Sequence, residues 1–248
     1  MDTNFSEIQG QQPRREQRKP IDPNGLRFFL ILSSIALIFW LLQLAYQYFI
    51  HHPGDLERAM ILGSAYAGAT LISVVLFSSA IFKWKPALMR YWRLRRYFGI
   101  AGFIFVVFHV GSVILFYYGG DYFAPFTPLN PIQNPIIFGS IAFYILMVMA
   151  LTSSNWAVQK LGGRRWKNIH RLIYLGYPAA IFHYLLINPV ELNTLPGYLL
   201  LITTALAVGG QLYWFFRIAS QKKFKTLGSF IGFAIIIAII IITYLAYK

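Results

Sequence analysis

Cysteine is absent from all 248 residues. That excludes disulfides, thiolate zinc sites, iron–sulfur clusters, covalently attached c-type haem and cysteine nucleophiles. Acidic residues are scarce, with 8 Asp and Glu against 22 Lys and Arg, giving a formal net charge of +14. Charged residues make up only 12% of the chain, where a soluble domain would carry about a quarter. Apolar and aromatic residues make up 57%. A soluble domain of this length cannot bury so much apolar surface, so lipid is the solvent for most of the chain. No Asp, Glu or Lys falls near the middle of any apolar run. That argues against a carboxylate-based proton-coupled transporter and against a retinal-binding lysine, for which Lys225 and Lys248 only bracket the final run.

What is present is a series of apolar runs, each about 17–25 residues long. They predict an all-α, polytopic transmembrane helix bundle of about seven spans, at 26–50, 59–82, 98–118, 135–158, 169–187, 197–216 and 227–247. Residues 1–25 read as a disordered, basic cytoplasmic tail, and the apolar run after it is too long for a cleaved signal. Residues 26–220 form the bundle, and 221–248 add a C-terminal helix rich in isoleucine that is expected to face lipid. Twenty of the basic residues fall on one side of this topology, leaving Arg58 and Lys248 on the other. The positive-inside rule then places the N-terminus in the cytoplasm. Topology and attraction to anionic lipid account for the charge excess, so nucleic acid is not an expected partner.

Ionisable groups within hydrocarbon mark function by default. His109 lies roughly 16 Å into the third run and His183 roughly 21 Å into the fifth, at 1.5 Å per residue. Both runs start at the basic side, so the two imidazoles share a depth. Such a pair is the axial ligand set of a b-type haem, which needs no cysteine; the bland account is a buried His bonded to a helix carbonyl. His170 lies about 20 Å below His183, and Arg95 stands below His109 on the same face. Together they suit a second, inner haem with Arg95 as propionate partner, or else an interfacial His among headgroups. In an ideal helix His170 and His183 point about 140° apart, though Pro178 between them can change the phase. His51 and His52 read as a surface loop, with a weak metal contact as the alternative.

One stretch is more specific. It runs Lys160-Leu161-Gly162, then Arg165-Trp166-Lys167-Asn168-Ile169-His170-Arg171-Leu172-Ile173-Tyr174, then Phe182-His183-Tyr184. Upstream, Leu94-Arg95-Arg96-Tyr97-Phe98-Gly99-Ile100 leads into His109. Over about residues 60–215 the chain resembles the ferric reductase-like transmembrane domain superfamily. Within it, the chain is most similar to the haem-binding membrane subunit of the bacterial periplasmic methionine-sulfoxide reductase system. The resemblance implies a six-helix core and a b-haem electron conduit. It would be fed by a cytosolic flavin reductase and deliver to an extracytoplasmic acceptor such as a periplasmic reductase. It matches His109 and His183 to the axial pair, His170 to a further haem-associated histidine and Arg95 to a basic position beside it. FMN is implied as a second cofactor, and NAD(P)H oxidation is expected in a partner.

The chain departs from that pattern at its seventh span, its long basic tail, the Asn130–Pro135 turn without a basic residue, and the end of the second helix without Thr-Pro. These leave the particular partner open. Two other readings stand beside the subunit: a self-contained quinol or ferric-ion reductase, and a non-redox transporter or scaffold.

Overall fold

The computed structural model describes residues 25–221 except Ile132 and Asn188. The tail before residue 25 and the expected span at 227–247 lie outside the described residues. All regular elements described are helical: α1 Gly25–Tyr46, α2 Leu56–Trp84, α3 Trp92–Ser112, α4 Ile136–Leu151, α5 Asn155–His170, α6 Ile173–Ile187 and α7 Leu195–Gln221. The turns Gln47–His51 and Val113–Tyr117 continue α1 and α3 in a wider helical geometry. Six of the expected spans thus fall on α1, α2, α3, α4, α6 and α7. Four stretches, 27–51, 56–84, 92–117 and 195–217, are each long and apolar enough to cross a membrane. The protein is a multi-pass, all-α bundle.

Two expectations are corrected in the middle of the chain. The fourth helix stops at Leu151, not near Val158, and the basic connection after it is itself helical. The stop has a local cause. The Thr152 hydroxyl bonds the Val148 carbonyl at 2.8 Å and Ser153 bonds Met149 at 2.6 Å, side-chain bonds of the kind that compete with continued helix. Ser154 then caps α5 by accepting from the Ala157 N–H at 3.0 Å. α5 is polar and basic, and Gly162 breaks its regularity at φ 74°, a backbone region that glycine enters without steric cost. From α4 the chain turns by 109° into the α5–α6 stretch. α4 and α6, of 16 and 15 residues, are only about 22–24 Å long.

α2 is the axis of the bundle, packing against α1, α3 and α7, while α4 pairs with α6. Lipid offers no hydrophobic drive between helices, so close approach through small residues and interhelical hydrogen bonds must hold them. A Cβ at Gly68 would stand 2.9 Å from the Gly102 carbonyl and 2.8 Å from Val106, which is why α2 and α3 cross there without side chains between them. Trp40 donates to Ser64 at 2.9 Å, Gln211 to the Leu76 carbonyl at 2.9 Å, and Trp214 to the Ala80 carbonyl at 3.2 Å. A chain of hydroxyls joins three helices. Ser73 donates to the Ala69 carbonyl, so the Tyr177 hydroxyl donates to Ser73 at 2.5 Å and accepts from Thr204 at 2.8 Å. Outward faces carry exposed Leu30, Ile38, Leu42 and Ile202, as a lipid-facing surface requires. Arg93 and Arg96 lie in the first turns of α3, Lys160, Arg164, Arg165 and Lys167 on α5, and Arg217 near the end of α7.

Candidate functional site

His109 comes from α3 and His183 from α6, and the structure brings them together. Their ring centroids are 6.3 Å apart, with the planes at 68°. Each ring is fixed from behind. His109 Nδ1 lies 2.9 Å from the Ile61 carbonyl of α2, and His183 Nδ1 lies 3.1 Å from the Pro135 carbonyl at the start of α4. A carbonyl can only accept, so both rings carry the proton on Nδ1 and leave Nε2 as a lone-pair donor. A backbone carbonyl on the rear nitrogen is the usual means of fixing the tautomer and orientation of a metal-bound histidine.

The spacing tests whether one metal fits between the rings. An imidazole–metal bond of about 2.0 Å, plus about 1.1 Å from nitrogen to ring centre, gives about 6.2 Å between centroids across a metal. The observed 6.3 Å accommodates that value, and it is also the separation of an edge-to-face ring contact. Space for His183 is made by α4. A Cβ at Gly139 would stand 2.8 Å from His183 Nδ1 and 3.0 Å from Cγ. α3 is not packed along α6 as α2 is along α3 or α4 along α6, so the two histidines face across a seam between helix pairs. Ile104, Val107 and Phe108 of α3 are exposed, giving apolar surface next to His109. Tyr184, beside His183, donates to the Tyr66 hydroxyl at 2.6 Å, and Tyr66 donates to the Glu191 carbonyl at 2.9 Å.

His170 stands apart from this pair. It ends α5 rather than starting α6, because the helix breaks at Arg171–Leu172. The expected 140° between His170 and His183 assumed one continuous helix and does not apply. Its ring lies 4.1 Å from the Trp166 ring at 32°, and its Nε2 lies 3.3 Å from the Thr152 hydroxyl. Trp166 is tied in turn to the Thr152 carbonyl at 3.0 Å. Arg95 is near enough for its charge to act on His170. Its Nε is buried with no hydrogen-bond partner, so this end of the bundle holds a cationic donor looking for an acceptor.

His51 and His52 correct another expectation. They are not a plain surface loop, since both approach the buried carboxylate of Glu191. Glu191 was missed by sequence reasoning, because no local pattern announces a contact across 140 positions. Gly139 and the Tyr66–Tyr184 pair were likewise missed, having no signal except their place in the folded bundle.

Fold and site together define a multi-pass inner-membrane protein that brings two imidazoles edge to face between helix pairs. The family described as "Ferric reductase like transmembrane component" matches residues 63–181, which takes in His109 and His170 and ends just before His183. Among curated proteins, the chain is similar to the protein-methionine-sulfoxide reductase heme-binding subunit MsrQ of Caulobacter vibrioides, at 29% identity over 71% of this chain and 82% of that protein. It is similar to the MsrQ of Brucella anthropi at 31% identity over 40% of this chain and 44% of that protein. For the MsrQ of Brucella ovis the values are 33%, 38% and 42%. The chain therefore spans less than half the length of the Brucella relatives it matches. The resemblance to ferric reductase-like transmembrane proteins, read from residues 94–109 and 160–184, is borne out.

Proposed function

We propose that the chain is a haem-binding membrane electron-transfer subunit, with His109 and His183 as axial ligands of one b-type haem. The observation that carries this is the pair of imidazoles 6.3 Å apart, each with Nδ1 bound to a backbone carbonyl and Nε2 left with its lone pair. The names of the relatives, heme-binding subunits, support the same reading. When bound, the haem supplies one-electron chemistry. The chain's own residues supply the rest: two oriented ligands, apolar walls that exclude water, and the cavity that Gly139 leaves for the His183 ring.

The direction of transfer follows from charge. In this reading the basic end is cytoplasmic, and Arg164, Arg165 and Lys167 on α5 present a docking face to an acidic surface of a flavin reductase. That partner oxidises NAD(P)H, and the FMN implied by the resemblance is a second cofactor of the chain beside the haem. The opposite end passes electrons to an extracytoplasmic acceptor such as the periplasmic reductase implied by the resemblance, and the relatives' names, subunits of a protein-methionine-sulfoxide reductase, favour a reductase in that role. A second haem on the basic side, with His170 as ligand, is favoured by the unpartnered Arg95 Nε beside it, since a propionate would satisfy that donor.

Proteoliposomes with the basic end outward test the conduit. Flavin reductase and NADH added outside should reduce a membrane-impermeant acceptor trapped inside, at a rate that depends on the chain. A colourless, redox-silent protein would leave the transporter or scaffold reading. Direct reduction by quinol without any reductase would favour the self-contained enzyme.

A further inference from the structure

Independently of the haem reading, we propose that His51, His52 and Glu191 form a binding site for a divalent transition-metal ion of the zinc class, at the end of the bundle opposite the basic cluster. His51 closes the turn after α1, His52 follows it, and Glu191 lies in the short helical turn Pro189–Asn193 between α6 and α7. Two segments distant in sequence thus meet at one point. His51 Nε2 is 2.8 Å from Glu191 Oε2, and His52 Nε2 is 3.4 Å from Oε1. One ligand atom from each residue lies within 4.8 Å of the others. Ligands of a tetrahedral ion with bonds of about 2.0–2.1 Å stand roughly 3.3 Å apart, so the donors need only small adjustments to close on a metal.

Two further observations point to a ligand. His52 Nε2 is buried and makes no hydrogen bond, so its distance from the carboxylate is long for a bond but ordinary for two donors on one ion. Glu191 is only 7% exposed, and its ion pairs among the described residues are with the two histidines alone. A buried carboxylate needs a positive partner. A divalent ion supplies it while both imidazoles remain neutral. The donors are also held in advance. The Glu191 carbonyl accepts from Tyr66 at 2.9 Å and Thr194 at 2.8 Å, and the His52 N–H donates to the Gln47 carbonyl at 2.7 Å. Two imidazoles and a carboxylate select zinc, cobalt or copper over magnesium or calcium, and three ligands leave a fourth position for water. The ion would fasten the α1–α2 turn to the α6–α7 turn, above the Tyr66–Tyr184 pair.

The test uses the haem-loaded, full-length protein, stripped with chelator, exposed to zinc and desalted, with zinc per chain read by mass spectrometry. One zinc per chain is expected, undisturbed by excess magnesium. Glu191→Gln and the double variant His51→Gln/His52→Gln should each retain at least roughly tenfold less, with haem content unchanged. Diethyl pyrocarbonate footprinting of the unsubstituted protein needs no variant, and zinc should protect His51 and His52 from modification. Substoichiometric zinc in the unsubstituted protein, equal zinc in the variants, or unprotected histidines would each overturn the site. Loss of haem with zinc retained would instead count against the haem reading alone.

Discussion

Gly139→Ala adds one methyl group, at the place where α4 leaves room for the His183 ring. The new Cβ would stand 2.8 Å from Nδ1, 2.9 Å from Cε1 and 3.0 Å from Cγ, where ordinary contact begins at 3.4 Å. The ring must therefore retreat by about 0.6 Å, the difference between 2.8 and 3.4 Å. It has little freedom to do so. Nδ1 is bound to the Pro135 carbonyl at 3.1 Å, and a metal–nitrogen bond tolerates departures of only about 0.2 Å. Overpacking of this kind costs about 1–3 kcal/mol. Without haem the ring can turn aside, so the cost falls on the haem-bound form, and haem affinity should drop roughly 5- to 150-fold at 1.4 kcal/mol per decade. The assay is haem titration of the apoprotein, with spin state followed in the optical spectrum. The variant should bind weakly and shift toward high spin as the His183 bond lengthens. Unchanged affinity with an unchanged low-spin spectrum would refute the assignment of His183 and the role given to Gly139.

His170→Ala should keep the low-spin spectrum of the haem between His109 and His183, and remove only an inner haem from a two-haem preparation; pyridine haemochrome counts check this. Tyr177→Phe breaks the hydroxyl chain joining Ser73 to Thr204, and should lower stability by about 0.6–1.7 kcal/mol, read as an earlier midpoint in detergent-denaturant unfolding with haem still bound. Replacing Arg164, Arg165 and Lys167 together by Gln should slow reduction by a flavin reductase about tenfold at low salt, and should flatten its dependence on ionic strength. A rate unaffected by these changes would move the docking face elsewhere.

The helices that carry the site were legible because each is a long apolar run, and lipid imposes that pattern on a span regardless of its neighbours. The matched depth of His109 and His183 was legible for the same reason, since rise per residue converts sequence position into height. Register between helices was not. That Ile61 and Pro135 present carbonyls to the two rings, and that Gly139 lies against His183, depends on how α2 and α4 rotate, which no single-chain periodicity encodes. α5 was read as a connection because its basic residues and its Gly162-Gly163 pair interrupt the apolar pattern. Its helix is fixed instead by the Ser154 cap and by Trp166 anchoring to Thr152. The meeting of His51, His52 and Glu191 is a property of two turns at one end of the bundle, and became visible only when those turns were placed side by side.

The central claim is that His109 and His183 hold a b-type haem. The reduced-minus-oxidised optical spectrum of the detergent-purified protein, with haem quantified per chain, tests it most directly when repeated on His109→Ala and His183→Ala. The unsubstituted protein should hold at least one low-spin b haem per chain, and each variant should lose that signal while remaining folded. Full haem with an unaltered spectrum in either variant, or a folded protein that takes up no haem when it is supplied, would contradict the account.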